Sequence, residues 1–156
     1  MQKVSARTLA ITGVIAALYA VLTVALSPFS FGAVQFRFSE ALLVLALVDR
    51  RTIPGLILGC AIANLFSPMG LWDVAIGTSA TALALWAMTR TKNPFGAMVW
   101  PAVMNGLLVG WELWFLDSLP FWLSAATVAA GELGVLWAVG YPFYRVIRKQ
   151  AVKLMG

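Results

Sequence analysis

TLAITGVIAALYAVLTVAL, residues 8–26, runs for 19 residues without a charge. A helix of that length, at about 1.5 Å per residue, crosses a hydrocarbon core about 30 Å thick. Lys3 and Arg7 ahead of it give the start of the chain the look of a signal peptide. The run reaches transmembrane length and no polar cleavage region follows, so it reads as a retained first helix, closed by Ser27-Pro28 and Gly32. Five further apolar runs follow. The second, about Ser39 to Val48, stops at Asp49-Arg50-Arg51, and the third goes from Ile53 to Phe66. Both are short for spans; joining them as a re-entrant hairpin would put three charges in mid-membrane, so two short spans are expected. The fourth runs from Leu71 to Met88, the fifth from Phe95 to Leu116 with a kink expected at Pro101, and the sixth from Phe121 to Tyr144. The sequence therefore predicts an all-α integral membrane protein, a bundle of six transmembrane helices forming one domain over residues 1–156.

Composition supports this and removes most chemistry. Of 156 residues 62% are hydrophobic and 11% charged, with mean hydropathy +0.90, against roughly 45–50% and about 25% in soluble domains. With no histidine and Cys60 alone, a disulfide scaffold is excluded, and no metal, cofactor or catalytic site is expected. The net charge of +5 does not mark a nucleic-acid binder, because the bases sit at the ends of apolar runs rather than on one face. Lys3, Arg7, Arg50, Arg51, Arg90, Lys92, Arg145, Arg148, Lys149 and Lys153 fall at the two termini and in the 2–3 and 4–5 loops, which are thereby predicted to be cytoplasmic. Arg37, Glu40, Asp73, Glu112 and Asp117 then lie toward the outside, and Glu132 near the midplane.

An ionisable group within a membrane points to a functional site. Glu112, in Trp111-Glu112-Leu113-Trp114, and Glu132, in Gly131-Glu132-Leu133-Gly134, suit a planar N–H-rich heterocycle or a cation, with Trp111 or Trp114 stacking on it. The plainer readings are a headgroup-level acid in an aromatic belt for Glu112, and for Glu132 a buried acid satisfied by Asn105 or a serine. Asn105 shares a helix face with Glu112, seven residues on. Arg37 and Glu40, three apart, form either a surface ion pair or part of a site. Asn64 is expected to bond between helices and Asp73 to cap the fourth. Gly55, Gly59, Gly106 and Gly110 are packing positions. The small stripe of Gly13, Ala16, Ala17 and Ala20 serves packing or docks a partner's helix.

The stretches ITGVIAALYAVLT (11–23), GAVQFRFSEAL (32–42), GCAIANL (59–65) and LWDVAIGT (71–78) resemble the QueT family. These are substrate-binding S-components of energy-coupling factor transporters, assigned to queuosine precursors. The resemblance implies capture of a 7-deazaguanine from outside at the cell membrane, with a transmembrane coupling subunit and two ATPases as partners; the chain has no P-loop of its own. It also implies that Ala16 and Ala20 contact the coupling subunit. In the site it implies Glu132 on the guanine-like edge, Glu112 or Glu40 near the 7-substituent, which is a cation in the aminomethyl form, and Asn105 hydrogen-bonding. The rival readings are a self-sufficient carrier or proton-coupled exporter, an S-component for another vitamin-like heterocycle, and a purely structural subunit. The scattered acids argue against an intramembrane enzyme.

Overall fold

The structure is a computed structural model that describes residues 5–31 and 34–155, with side chains as far as residue 151. Lys3, the Gly32-Ala33 pair and the side chain of Lys153 lie outside the described residues. Every regular element among those described is helical. We number them α1 (Ala6–Ala25), α2 (Phe38–Val48), α3 (Ile53–Asn64), α4 (Leu71–Met88), α5 (Val99–Asp117) and α6, which begins at Phe121 and continues to Met155. Four are long and apolar enough to cross a membrane: α1, α4, α5 with the turn Pro94–Ala97 before it, and α6.

The helix ends follow local chemistry. Ser5 accepts a hydrogen bond from the Thr8 backbone N–H at 3.2 Å and caps α1. Asn93 caps the Pro94–Ala97 turn by accepting from Phe95 N–H at 3.1 Å. The expected kink at Pro101 is corrected: the break falls at Met98, and Pro101 sits in the first turn of α5, where its missing N–H has no partner to lose. Asp73 is likewise not the cap of α4. Gly70, at φ +58°, holds that place, and Asp73 lies in the first turn, accepting from the Ser67 hydroxyl.

The second and third runs are short, as the sequence indicated, and α2 compensates in part. Phe38–Val44 is a 3₁₀ helix and Leu45–Val48 is α-helical, so at about 2.0 and 1.5 Å per residue α2 reaches about 20 Å, where an all-α segment would reach about 16 Å. Between α2 and α3, Asp49 pairs with Arg51 at 2.8 Å, the ion pair found among the described residues. The Arg51 hydrogen bonds hold the Asp49 carboxyl below the usual carboxylate range. In α6 a π-helical stretch, Leu136–Gly140, joins Phe121–Val135 to Tyr141–Met155 and brings Gly140 against Val44 and Ala41 of α2.

Small residues set the helix approaches. A Cβ on Gly59 would lie 2.8 Å from the Ala16 carbonyl oxygen, and one on Gly55 equally close to that of Thr12, so α1 and α3 meet backbone to backbone. A Cβ on Gly110 would lie 2.8 Å from the Ala125 Cα, and Gly106 meets Ala125 and Ala129, which fixes α5 against α6. Ile15, Tyr19, Leu43, Leu56, Cys60, Leu85 and Met88 fill the space between α1, α2, α3 and α4.

Candidate functional site

Arg37 precedes the first turn of α2, and its carbonyl accepts from the Glu40 N–H at 2.9 Å, which fixes the two residues relative to each other. Glu40 accepts from the Tyr19 hydroxyl of α1. One turn along α1, the Thr23 hydroxyl donates to the Tyr19 carbonyl at 2.9 Å and also lies 2.6 Å from the Ser39 hydroxyl. Its one proton is thus committed, and Ser39 is the donor to it. These bonds tie the start of α2 to α1. On the other side of the bundle Asn105 of α5 donates to Glu132 of α6 at 2.9 Å. Toward the ends of α4 and α5 away from the chain termini, Glu112 comes within reach of Asp73.

Arg37, Glu40, Asn105, Glu112 and Glu132 have 0% exposure. More than nine in ten buried polar groups in folded proteins have a partner. Here the three guanidinium nitrogens of Arg37, one oxygen each of Glu40, Glu132, Asn105, Asp73 and Gln35, and both oxygens of Glu112 have none within the protein. The Arg37 guanidinium lies 5.6 Å from the Phe31 ring. It acts electrostatically on Glu40, Glu132 and Glu112 without an ion pair at contact distance to any of them. The result is a buried seam of forked donors and carboxylate acceptors contributed by α1, α2, α4, α5 and α6. The loop carrying Gln35 closes against it: Gly131, beside Glu132, is packed directly on the Gln35 backbone, which a Cβ there would strike.

Five of the seven residues singled out for ligand contact therefore meet. The surface ion pair considered for Arg37 and Glu40 is ruled out, since both are buried and unpaired with each other. Glu112 faces the interior rather than a headgroup belt. Glu132 is half satisfied by Asn105, its second oxygen unpartnered. Trp111 and Trp114 are not brought into the seam. All seven tryptophans are at least 36% exposed, and Trp111 stacks on Phe115 at 5.3 Å on the outer surface. The reason is helical geometry: with Glu112 and Asn105 facing inward, residues one before and two after Glu112 point away. Ala16 is buried against Gly59 and Ala20 is half-buried, so Gly13 and Ala17 carry the open part of the α1 stripe. Asn64 makes the expected interhelical bond, donating to the Asp73 carbonyl at 2.9 Å. Tyr19, Gln35 and Asp73 join the seam without having been singled out as ligand-contacting. A phenol on the face of α1 that carries Ala16 was the available signal for Tyr19. A cavity of about 550 Å³ lies elsewhere, between Pro94, Tyr141, Tyr144 and the basic residues Arg145, Arg148 and Lys149.

A multi-pass helical membrane protein with unpartnered, solute-sized hydrogen-bonding capacity inside its bundle has the make-up of a membrane transport protein. The chain belongs to the QueT transporter family, which matches residues 9–149. It is 29% identical over 156 residues to the "Queuosine precursor transporter QueT" of Lactococcus lactis subsp. cremoris (strain MG1363), covering 88% of this chain and 90% of the relative. No solved structure matches. The protein is thus a multi-pass membrane transporter of the QueT family and not an enzyme.

Proposed function

We propose that this protein is the substrate-binding S-component of an energy-coupling factor transporter. It captures a 7-deazaguanine from outside the cell in the seam around Glu132 and passes it to a transmembrane coupling subunit powered by two ATPases. The observation that carries this reading is the set of buried, unpartnered groups, whose chemistry complements a guanine-like base. The N1–H and 2-amino donors fit the carboxylate of Glu132, and the ring carbonyl fits a forked donor such as Arg37. The relative's name as a queuosine precursor transporter points to the same ligand class. These 156 residues hold no P-loop, so ATP-driven uptake requires a partner ATPase. In this reading the chain forms a single unit with six crossings, α2 and α3 being short spans, and both termini are cytoplasmic, as the distribution of bases favours. The coupling subunit meets α1 along Gly13 and Ala17, with Ala20 at the edge; of the pair Ala16 and Ala20, Ala16 is occupied inside the bundle.

Isothermal titration of the detergent-solubilised chain with 7-cyano- and 7-aminomethyl-7-deazaguanine, with guanine and thiamin as controls, tests the proposal. Calorimetry suits this chain better than tryptophan fluorescence because its indoles lie outside the seam. The expected result is saturable binding selective for a deazaguanine and lost in Glu132→Gln. Wild-type affinity in that variant removes Glu132 from the site, and transport by the purified chain alone in liposomes replaces the S-component with a self-sufficient carrier.

A further inference from the structure

We propose that Asp73 and Glu112 form a cation subsite that selects the protonated primary amine of a 7-aminomethyl ligand over neutral 7-substituents; this rests on the assignment of the seam to a 7-deazaguanine. The argument starts from charge. The seam holds four carboxyl groups, those of Glu40, Asp73, Glu112 and Glu132, and one base, Arg37. All are buried. Burying like charges together is unfavourable unless a cation joins them or protons neutralise them.

The groups divide into two ends. At one, Arg37 lies in the field of Glu40 and Glu132, and Tyr19 and Asn105 donate to those carboxyl groups. At the other, Asp73 and Glu112 face each other, and the side-chain donor to them is the Ser67 hydroxyl on one Asp73 oxygen. That leaves three acceptors without a donor: the second Asp73 oxygen and both oxygens of Glu112. An alkylammonium group carries three N–H donors and no acceptor. An inorganic metal ion is a poorer match, because among the described residues no group of three or more His, Cys, Asp or Glu side chains is placed to hold one. Arg37 itself, fully buried and without a hydrogen-bond partner, marks the other end as a place for a neutral polar acceptor such as a ring carbonyl. Asn105 and Glu112 lie on one face of α5, separated along its axis by about 10 Å, the scale of a bicyclic base carrying a one-carbon arm. The base therefore lies between Arg37 and Glu132 while its arm points along α5 to the acid pair.

The test is calorimetric titration of the full chain in detergent with 7-aminomethyl-, 7-cyano- and 7-hydroxymethyl-7-deazaguanine, for the wild type, Glu112→Gln and Asp73→Asn. The wild type is expected to bind the amine at least tenfold more tightly than either neutral compound, by the usual worth of a charge-assisted contact. Glu112→Gln should abolish that preference, its loss of affinity falling mainly on the amine, and Asp73→Asn should reduce it. Equal affinity of the wild type for the three compounds overturns the subsite. So do equal losses for amine and nitrile in both variants, which mark the acids as structural. Binding of none of the three overturns the deazaguanine assignment and this inference together.

Discussion

Gly131 and Gly134 lie three residues apart in α6 and offer a matched pair of substitutions. A Cβ at Gly134 meets nothing within 4 Å, whereas one at Gly131 strikes the Gln35 peptide, its carbonyl carbon at 2.9 Å and its nitrogen at 3.3 Å. Alanine at either site gains the same helix propensity, up to about 1 kcal/mol. That gain cancels in the comparison. What remains is the overpacking at Gly131, about 1–3 kcal/mol for a methyl forced into occupied space. The struck atoms belong to a backbone, which cannot swing aside as a long side chain would, so the Gln35 segment or α6 has to shift. At about 2–4 °C per kcal/mol for a chain of this size, Gly131→Ala should melt about 2–12 °C below Gly134→Ala. Thermal melting in dodecylmaltoside followed by circular dichroism measures the difference, and reversible SDS titration gives it as a free energy. Since Glu132 and Arg37 flank the contact, Gly131→Ala should also weaken deazaguanine binding while Gly134→Ala leaves it unchanged. Equal melting temperatures would refute the seating of the loop on α6.

Four further outcomes follow from the geometry. Tyr19→Phe removes the donor to Glu40 inside the bundle and should destabilise by about 1–3 kcal/mol, whereas Tyr144→Phe, which loses a 3.2 Å contact with Arg148 near the surface, should stay within about 0.5 kcal/mol; the same SDS titration ranks them. Gly59→Ala places a methyl 2.7 Å from the Tyr19 Cβ and should lose about 1–3 kcal/mol, while Gly13→Ala, with nothing near it, should not destabilise. Cys60 is buried beside Thr81 and should react with maleimide only as fast as the bundle opens, whereas an Asp117→Cys thiol in a Cys60→Ala background labels at once; prompt labelling of native Cys60 would contradict its position. Trp111→Phe should bind deazaguanine as the wild type does, and a loss of affinity there would put the indole back into the site.

The apolar runs are legible in the sequence because a membrane span is a matter of length and charge, both local properties. Even the shortness of α2 and α3 is plain from the positions of Asp49 and Ser67. The facing of Glu112 was legible as well, from Asn105 seven residues away, and the same spacing already turned Trp111 and Trp114 outward. Local composition, an acid among indoles, competes with that geometric signal and points the wrong way. Arg37 is different. In its own segment it looks like an interfacial base with an acid three residues on, and its burial arises only because α1 supplies Tyr19 to Glu40 and the Gln35 segment lies down on Gly131. Those are contacts between residues 20 to about 100 positions apart, and no local pattern carries them. The break at Met98 in place of Pro101 has a similar origin, since Asn93 starts a separate turn and moves the proline into a position it tolerates.

The 3₁₀ geometry of Phe38–Val44 also has a mechanical meaning. With three residues per turn, Glu40 and Leu43 stack along one line, whereas at 3.6 residues per turn a step of three falls short of a full circle by about 60°. Relaxation of these seven residues to an α-helix would shorten them by about 3.5 Å and rotate Glu40 by about 60° relative to Leu43. Either motion is enough to pull the carboxylate off the Tyr19 hydroxyl. A change of winding in this segment would therefore move Glu40, and with it Arg37, whose carbonyl accepts from the Glu40 N–H.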